Sequence, residues 1–265
     1  MNTPATDSAV PDIRTVAVLG VGRVGTAIAR TFLDAGYRVL VAASGDPEQI
    51  APIARIVAPG ARPRWADEAI AEADLVVLSI PLHRVPDLDP APLAGKIVID
   101  GMNYWPPVDG TILMFEDAPH GSSSVVQDLL TGARIVKTFN HTGYHDLEPD
   151  RRPPGHPERL ALAVAGDDPA AVRIVTAIID RLGYDPVPLD GLAAGIALQP
   201  GGTVFGARLT RAEIEAAIGH DRDAPYDERP GRTDADDIAT ENIVAENFSP
   251  DDFSTEKEPR RTHHA

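Results

Sequence analysis

The run GVGRVG, from Gly20 to Gly25, constrains this chain more than any other stretch. It follows the apolar run Thr15–Leu19 and opens a segment with helical spacing that continues to Ala35. Strand, glycine turn and helix in that order form the first βα unit of a parallel sheet. Gly20 permits a tight turn, Gly22 lets bare main chain approach a pyrophosphate, and Gly25 lets helix and strand pack closely. The helix N-terminus adds free N–H groups and the positive end of its dipole. In this context the turn, with Val21, Arg23 and Val24, predicts dinucleotide binding. A glycine-rich turn that binds nothing is the plain alternative.

The pattern then alternates short apolar runs with helical stretches, as a parallel sheet covered by helices requires. Strands are expected at Arg38–Ala42, Ala61–Arg64, Leu75–Ile80, Lys96–Asp100, Arg134–Phe139 and Leu160–Ala165. A further strand at Asp185–Leu189 carries Pro186 and Pro188 and belongs at an edge. Helices are expected at Gly22–Ala35, Pro47–Ala58, Asp67–Glu72, Ser122–Leu130 and Pro169–Leu182, with a short one at Leu209–Ile218. The fold class is α/β: one doubly wound Rossmann domain over residues 12–219, with a mostly parallel sheet and a small C-terminal addition. Residues 1–11 read as a flexible arm. Residues 220–265 hold 13 acids against 6 Lys and Arg, a net of −7, and too few apolar residues for a core. They read as a disordered acidic tail, or as a segment that docks on a protein partner through ENIVAENF.

Composition narrows the function classes. The chain has 265 residues and no cysteine, which excludes disulfides, thiolate metal sites and cysteine nucleophiles. No apolar run approaches the roughly 20 residues of a membrane span, and the N-terminus lacks the basic and apolar regions of a signal peptide. A cytoplasmic protein is expected. The net charge of −16 argues against nucleic acid or an anionic membrane as partner.

After the second strand the chain reads Ala43, Ser44, Gly45, where an NAD site would usually carry Asp or Glu. Ser44 offers a hydroxyl, Gly45 an unhindered N–H, and Arg23 a charge within reach. This favours NADP over NAD, with Asp46 the discordant neighbour. The strand LVVLSI runs into Ile80, Pro81, Leu82 and His83, and KIVID into Met102 and Asn103. Both exits lie where open α/β sheets bind ligands, and Asn103 either contacts a nicotinamide ribose or amide or caps a turn. In KTFNHTGYHDLE, Asn140 and His141 are the substrate-side candidates, with an exposed loop histidine as the alternative for His141. Gly143 between His141 and His145 argues against a metal pair, so no metal is expected. Lys137 reads as a snorkelling surface lysine, and Ser122, Ser123 and Ser124 as helix caps, with a binding role for their hydroxyls the secondary alternative.

Taken together, AVLGVGRVGTAIA with VLVAASGD, DLVVLSIPLHRV, KIVIDGMNYW, ARIVKTFNHTG and AVAGDDPAAV…IIDRLGYDPVPLDGLAAG resemble the coenzyme-F420-dependent NADP oxidoreductase family from Thr15 to about Gly202. The resemblance implies a Rossmann domain, commonly dimeric, that exchanges a hydride between NADP(H) and the deazaflavin F420. It implies Gly20, Gly22 and Gly25 at the pyrophosphate, Ser44 at the 2′-phosphate, and Ile80-Pro81 beside the nicotinamide. The family often has Arg after that serine and a Lys on the next helix; here Gly45 and Gln49 stand there. Two rival readings are a reductase of a small molecule, flavin or ferric acceptor, and a non-catalytic dinucleotide sensor. Imine reductases and hydroxyacid dehydrogenases share the turn, but they need a helical domain for which few residues follow Leu189.

Overall fold

In the computed structural model, which describes residues 12–223, eight strands form one sheet in the order β3-β2-β1-β4-β5-β6-β7-β8. The strands are β1 (Thr15–Leu19), β2 (Arg38–Ala42), β3 (Arg62–Pro63), β4 (Leu75–Leu78), β5 (Ile97–Asp100), β6 (Arg134–Lys137), β7 (Ala161–Gly166) and β8 (Asp185–Pro188). Every pairing is parallel except β6 with β7. The helices are α1 (Arg23–Asp34), α2 (Pro47–Val57), α3 (Ala66–Glu72), α4 (Pro106–Asp109), α5 (Leu113–Glu116), α6 (Ser122–Leu129), α7 (Pro169–Leu182) and α8 (Arg211–Asp223). This is the doubly wound α/β architecture expected from the sequence.

Alternation along the strands divides the core. Val16 and Val18 of β1 face the side that packs against α1, α2 and α7, while Ala17 and Leu19 face the side of α3 and α6. Phe32 of α1 is fully buried between Tyr37 and Phe139, with ring centroids 5.2 and 6.1 Å away; truncating such a side chain to alanine costs about 3–5 kcal/mol. A third apolar cluster joins β7 and β8 to residues Ala197, Leu198, Val204 and Ile214. The two prolines are accommodated because β8 pairs only with β7 and forms an edge.

Register places the site. Ala42, Leu19, Leu78, Asp100 and Lys137 lie side by side across β2, β1, β4, β5 and β6. The residues that follow them share one edge, and the strand order changes direction between β1 and β4. Open sheets form their ligand crevice at that point.

Several boundaries differ from expectation. The third strand shrinks to Arg62–Pro63, and β6 stops at Lys137 because Phe139 adopts φ 67°, the only positive φ of a non-glycine among the described residues. The short helices α4 and α5 have no periodic sequence signal. The final helix begins at Arg211 and continues through Asp223, five residues past the expected end. The arm at 1–11 and the tail beyond Asp223 lie outside the described residues.

Candidate functional site

The three glycines of the turn stand in different surroundings. Gly20 has φ 113°, and a Cβ there would lie 2.3 Å from the Ser79 carbonyl oxygen. A Cβ at Gly25 would lie 2.0 Å from the Gly20 carbonyl oxygen. Both glycines are therefore demanded by the fold itself. Gly22 has φ −73° and ψ −173°, open to any residue, and a Cβ there would meet nothing within 4 Å. Its side-chain position faces free space at the N-cap of α1. The first turn of α1 contains no acid, and its leading N–H groups have no helical carbonyl to reach. These features fit the diphosphate of a dinucleotide.

Ser79 supports the turn from β4: its hydroxyl donates to the Leu19 carbonyl at 3.1 Å. It escaped the sequence reading, although a lone polar residue ending the apolar run LVVLSI was the available signal. Beside it, Val21 is partly buried against the core, whereas Arg23 and Val24 are exposed. The Arg23 guanidinium donates to the Tyr144 hydroxyl at 3.4 Å.

At the exit of β2, Ser44 is exposed and Ala43 is half-buried. A Cβ on Gly45 would have only the Gln49 side chain nearby, at 3.6 Å. The discordant Asp46 is occupied as the N-cap of α2, accepting the Glu48 N–H at 2.8 Å.

The exits of β4 and β5 present backbone more than side chains. Leu82 and Met102 are buried in the core on the α6 side, so only their main chain is available to a ligand. Ile80 is half-buried, and Pro81 and His83 are exposed. Asn103 is half-buried and pairs with Asn140: its Nδ2 donates to the Asn140 carbonyl at 2.7 Å, and Asn140 Nδ2 donates back to Asn103 Oδ1 at 2.9 Å. Turn-capping is therefore not its role here; it ties the β5 exit to the β6 exit.

Three expectations are corrected beneath this pair. Lys137 is fully buried rather than snorkelling, and its ammonium lies 3.3 Å from Asp100 Oδ2. Burial pushes the Lys137 amine below its usual value, and the Asp100 charge opposes that shift. The serines do not cap α6, whose N-cap is Gly121 with φ 82°. Ser123 instead donates to Asp100 Oδ2 at 2.6 Å, and Ser124 to the His120 carbonyl. The exposed-loop alternative for His141 also fails, because its ring is buried and Nε2 accepts the Ala163 N–H of β7 at 3.2 Å. With Nε2 accepting, the neutral ring carries its proton on Nδ1. Burial, aided by the Lys137 charge, lowers its pKa to about 3. His141 can donate a hydrogen bond but stays neutral at working pH.

Among the described residues, seven buried side-chain polar atoms lack a partner, and three fall within four consecutive positions: Thr138 Oγ1, Asn140 Oδ1 and His141 Nδ1. The strained Phe139 lies among them. Unmet hydrogen-bonding capacity beside a positive φ is a combination that stability alone does not favour. By contrast, a concavity of about 270 Å³ lined by Arg151, Arg152, Asp180, Arg181 and Gly183 has no residue of the glycine turn. Its arginines are occupied: Arg181 donates to the Ala35 carbonyl past the end of α1, and Arg151 to the Leu182 carbonyl at the end of α7. They complement two helix C-termini.

Fold and glycine turn together define an α/β protein of the Rossmann class. Residues 15–104 match the model of the family described as NADP oxidoreductase coenzyme F420-dependent, so the likeness read from the motifs holds over that segment. A structure of the hypothetical protein SMa0349 from Sinorhizobium meliloti is similar at 27% identity and TM-score 0.64, over 75% of this chain and 96% of that one. A protein from Arthrobacter sp. FB24, named as a candidate F420-dependent NADP-reductase, is similar at 23% identity and TM-score 0.60, over 76% of this chain and all of that one. The protein YjhV of Escherichia coli (strain K12) is 41% identical over 54 residues, which make up 20% of this chain and 39% of that protein. The match thus spans well under half of that curated relative.

Proposed function

We propose that this protein is an NADP(H)-dependent oxidoreductase that passes a hydride between NADP(H) and a second bound cofactor, with coenzyme F420 the favoured acceptor. The observation that carries the reading is Gly22: the fold leaves a Cβ ample room there, and close approach by a diphosphate gives glycine a purpose. When bound, NADP(H) supplies the hydride, so the protein's task is binding and orientation. Main-chain groups from Gly20 to Gly25 would hold the diphosphate, with Arg23 and Val24 at the mouth. Ala43, Ser44 and Gly45 would receive the adenosine ribose. No carboxylate follows β2 directly, and Asp46 is engaged as a helix cap, so a 2′-phosphate meets a hydroxyl and an open N–H.

Ile80, Pro81, Leu82 and His83 would line one side of the nicotinamide end through their backbone. Met102 and Asn103 would line the other, with Asn140 and His141 behind them. His141, neutral and buried against β7, would hold the chain behind Asn140 without titrating. F420 rests on the family match at residues 15–104 and on the name of one similar structure. A homodimer, a cytoplasmic location and a partner-binding tail belong to the same proposal.

The deciding experiment mixes pure protein with NADPH and, separately, F420, FMN and a ferric chelate, and follows the nicotinamide absorbance band. Rapid loss of that band with F420 alone supports the full reading. Turnover with FMN or iron only replaces the acceptor, and tight NADPH binding with no turnover favours a sensor.

A further inference from the structure

We infer that the buried Asp100–Lys137 pair is a positioning device, which fixes the main chain at Met102 and through it the amide of Asn103. The inference rests on the proposed function only in taking Asn103 to face the nicotinamide end.

Asp100 and Lys137 are the last residues of β5 and β6, neighbours in register, and both side chains are fully buried. Asp100 Oδ1 accepts the Met102 N–H at 2.9 Å, and Lys137 Nζ donates to the Met102 carbonyl at 2.5 Å. The pair thus holds both polar groups of one residue, while Ser123 and Lys137 fix Asp100 Oδ2. Asn103 follows immediately and is bonded to Asn140, three residues after Lys137. Asp100, Met102, Asn103, Asn140 and Lys137 therefore close a ring that joins the two strand exits.

Apolar packing does not call for charge at this point, and what the pair adds is satisfaction of both polar groups of Met102. Lys137 continues the inward face that Ile135 begins, where an apolar residue would suit the core. A buried ion pair is often no better than well-packed apolar residues of similar volume. The stem of Lys137 is packed against Gly195, where a Cβ would lie 3.3 Å from Cγ, so water is kept from the pair. Two charges in a dry environment give a short, directional link that apolar contacts cannot.

The test compares wild type with D100L/K137M, which replaces both charges by apolar side chains; K137M alone would leave a buried carboxylate unpaired. The double variant is expected to fold and to keep its KM for NADPH within about threefold, because the glycine turn and Ser44 remain, while kcat falls by about tenfold to a hundredfold through misplacement. Hydrogen exchange at residues 101–104 is expected to accelerate, with β1 amides unchanged. A folded double variant with wild-type kcat overturns the inference, as does unchanged exchange at 101–104. Should the wild type turn over no acceptor, the functional reading fails, and the exchange measurement alone decides the positioning role.

Discussion

Gly22 and Gly25 are three residues apart in one turn, yet an added side chain meets opposite surroundings at the two positions. At Gly25 the Gly20 carbonyl stands 2.0 Å from where Cβ would be, so Gly25→Ala should cost about 3 kcal/mol or more through overpacking against backbone. At Gly22 there is open space and an ordinary φ. Gly22→Val should therefore lower stability by no more than about 1 kcal/mol, the cost of a poorer N-cap. The same substitution should abolish measurable NADPH binding, because its methyl groups occupy the approach to the main chain. Urea unfolding and NADPH titration of both variants check this, and retained affinity in Gly22→Val would remove the basis of the site. Ser44→Asp addresses the other end of the cofactor. A carboxylate there repels a 2′-phosphate and accepts ribose hydroxyls, so the ratio of NADP to NAD affinity should fall by at least about tenfold. An unchanged ratio would show that Ser44 does not meet the ribose.

Among the elements, α7 has the best-defined ends. Asp168 caps it by accepting the Ala170 and Ala171 N–H groups, and Gly183 ends it in the left-handed region. Asp168 also pairs with Arg134 of β6 at 2.6 Å, and this bond is the main reason its pKa falls to about 2 from an ordinary 3.8. A depressed carboxyl pKa contributes stability above its unfolded value and loses it as pH falls through the folded one. Wild type should thus exceed Asp168→Asn in urea midpoint at pH 7 and down to about pH 4. The gap should close between about pH 4 and pH 2, and a gap constant over that range would deny the Arg134 pair its role. The start of α7 is legible in Asp-Asp-Pro, because capping is local. The apolar runs of β1, β2, β4 and β5 were legible for the same reason. The reversal of β7 was not, since nothing in LALAVAG encodes strand direction. Lys137 was misread because its partner Asp100 is 37 residues away, and only the register of β5 with β6 brings them together. Asn103 and Asn140 were singled out separately, but their pairing arises from the same register.

At the scale of the whole molecule the dominant quantity is charge. The ligand proposed here is an anion, and the protein carries a net −16. Local donors at the glycine turn decide the equilibrium, since they act at hydrogen-bond distance. Long-range repulsion acts on the encounter instead, and salt screens it. Residues 224–265 contain 11 acids and 5 Lys and Arg, a net of −6, and follow the last described helix. Ending the chain at Asp223 leaves every residue of the three core clusters in place. The shortened protein should therefore keep the melting temperature of the full chain and its NADPH affinity at high salt. Its association rate constant for NADPH should rise by about twofold to fivefold at 0.01 M ionic strength, where the Debye length is about 30 Å. Near 1 M salt, where that length shrinks to about 3 Å, the two proteins should converge. Stopped-flow binding across a salt series measures this directly. A difference that persists at high salt would mean that the removed segment acts by contact rather than by its field, and the electrostatic account would fall.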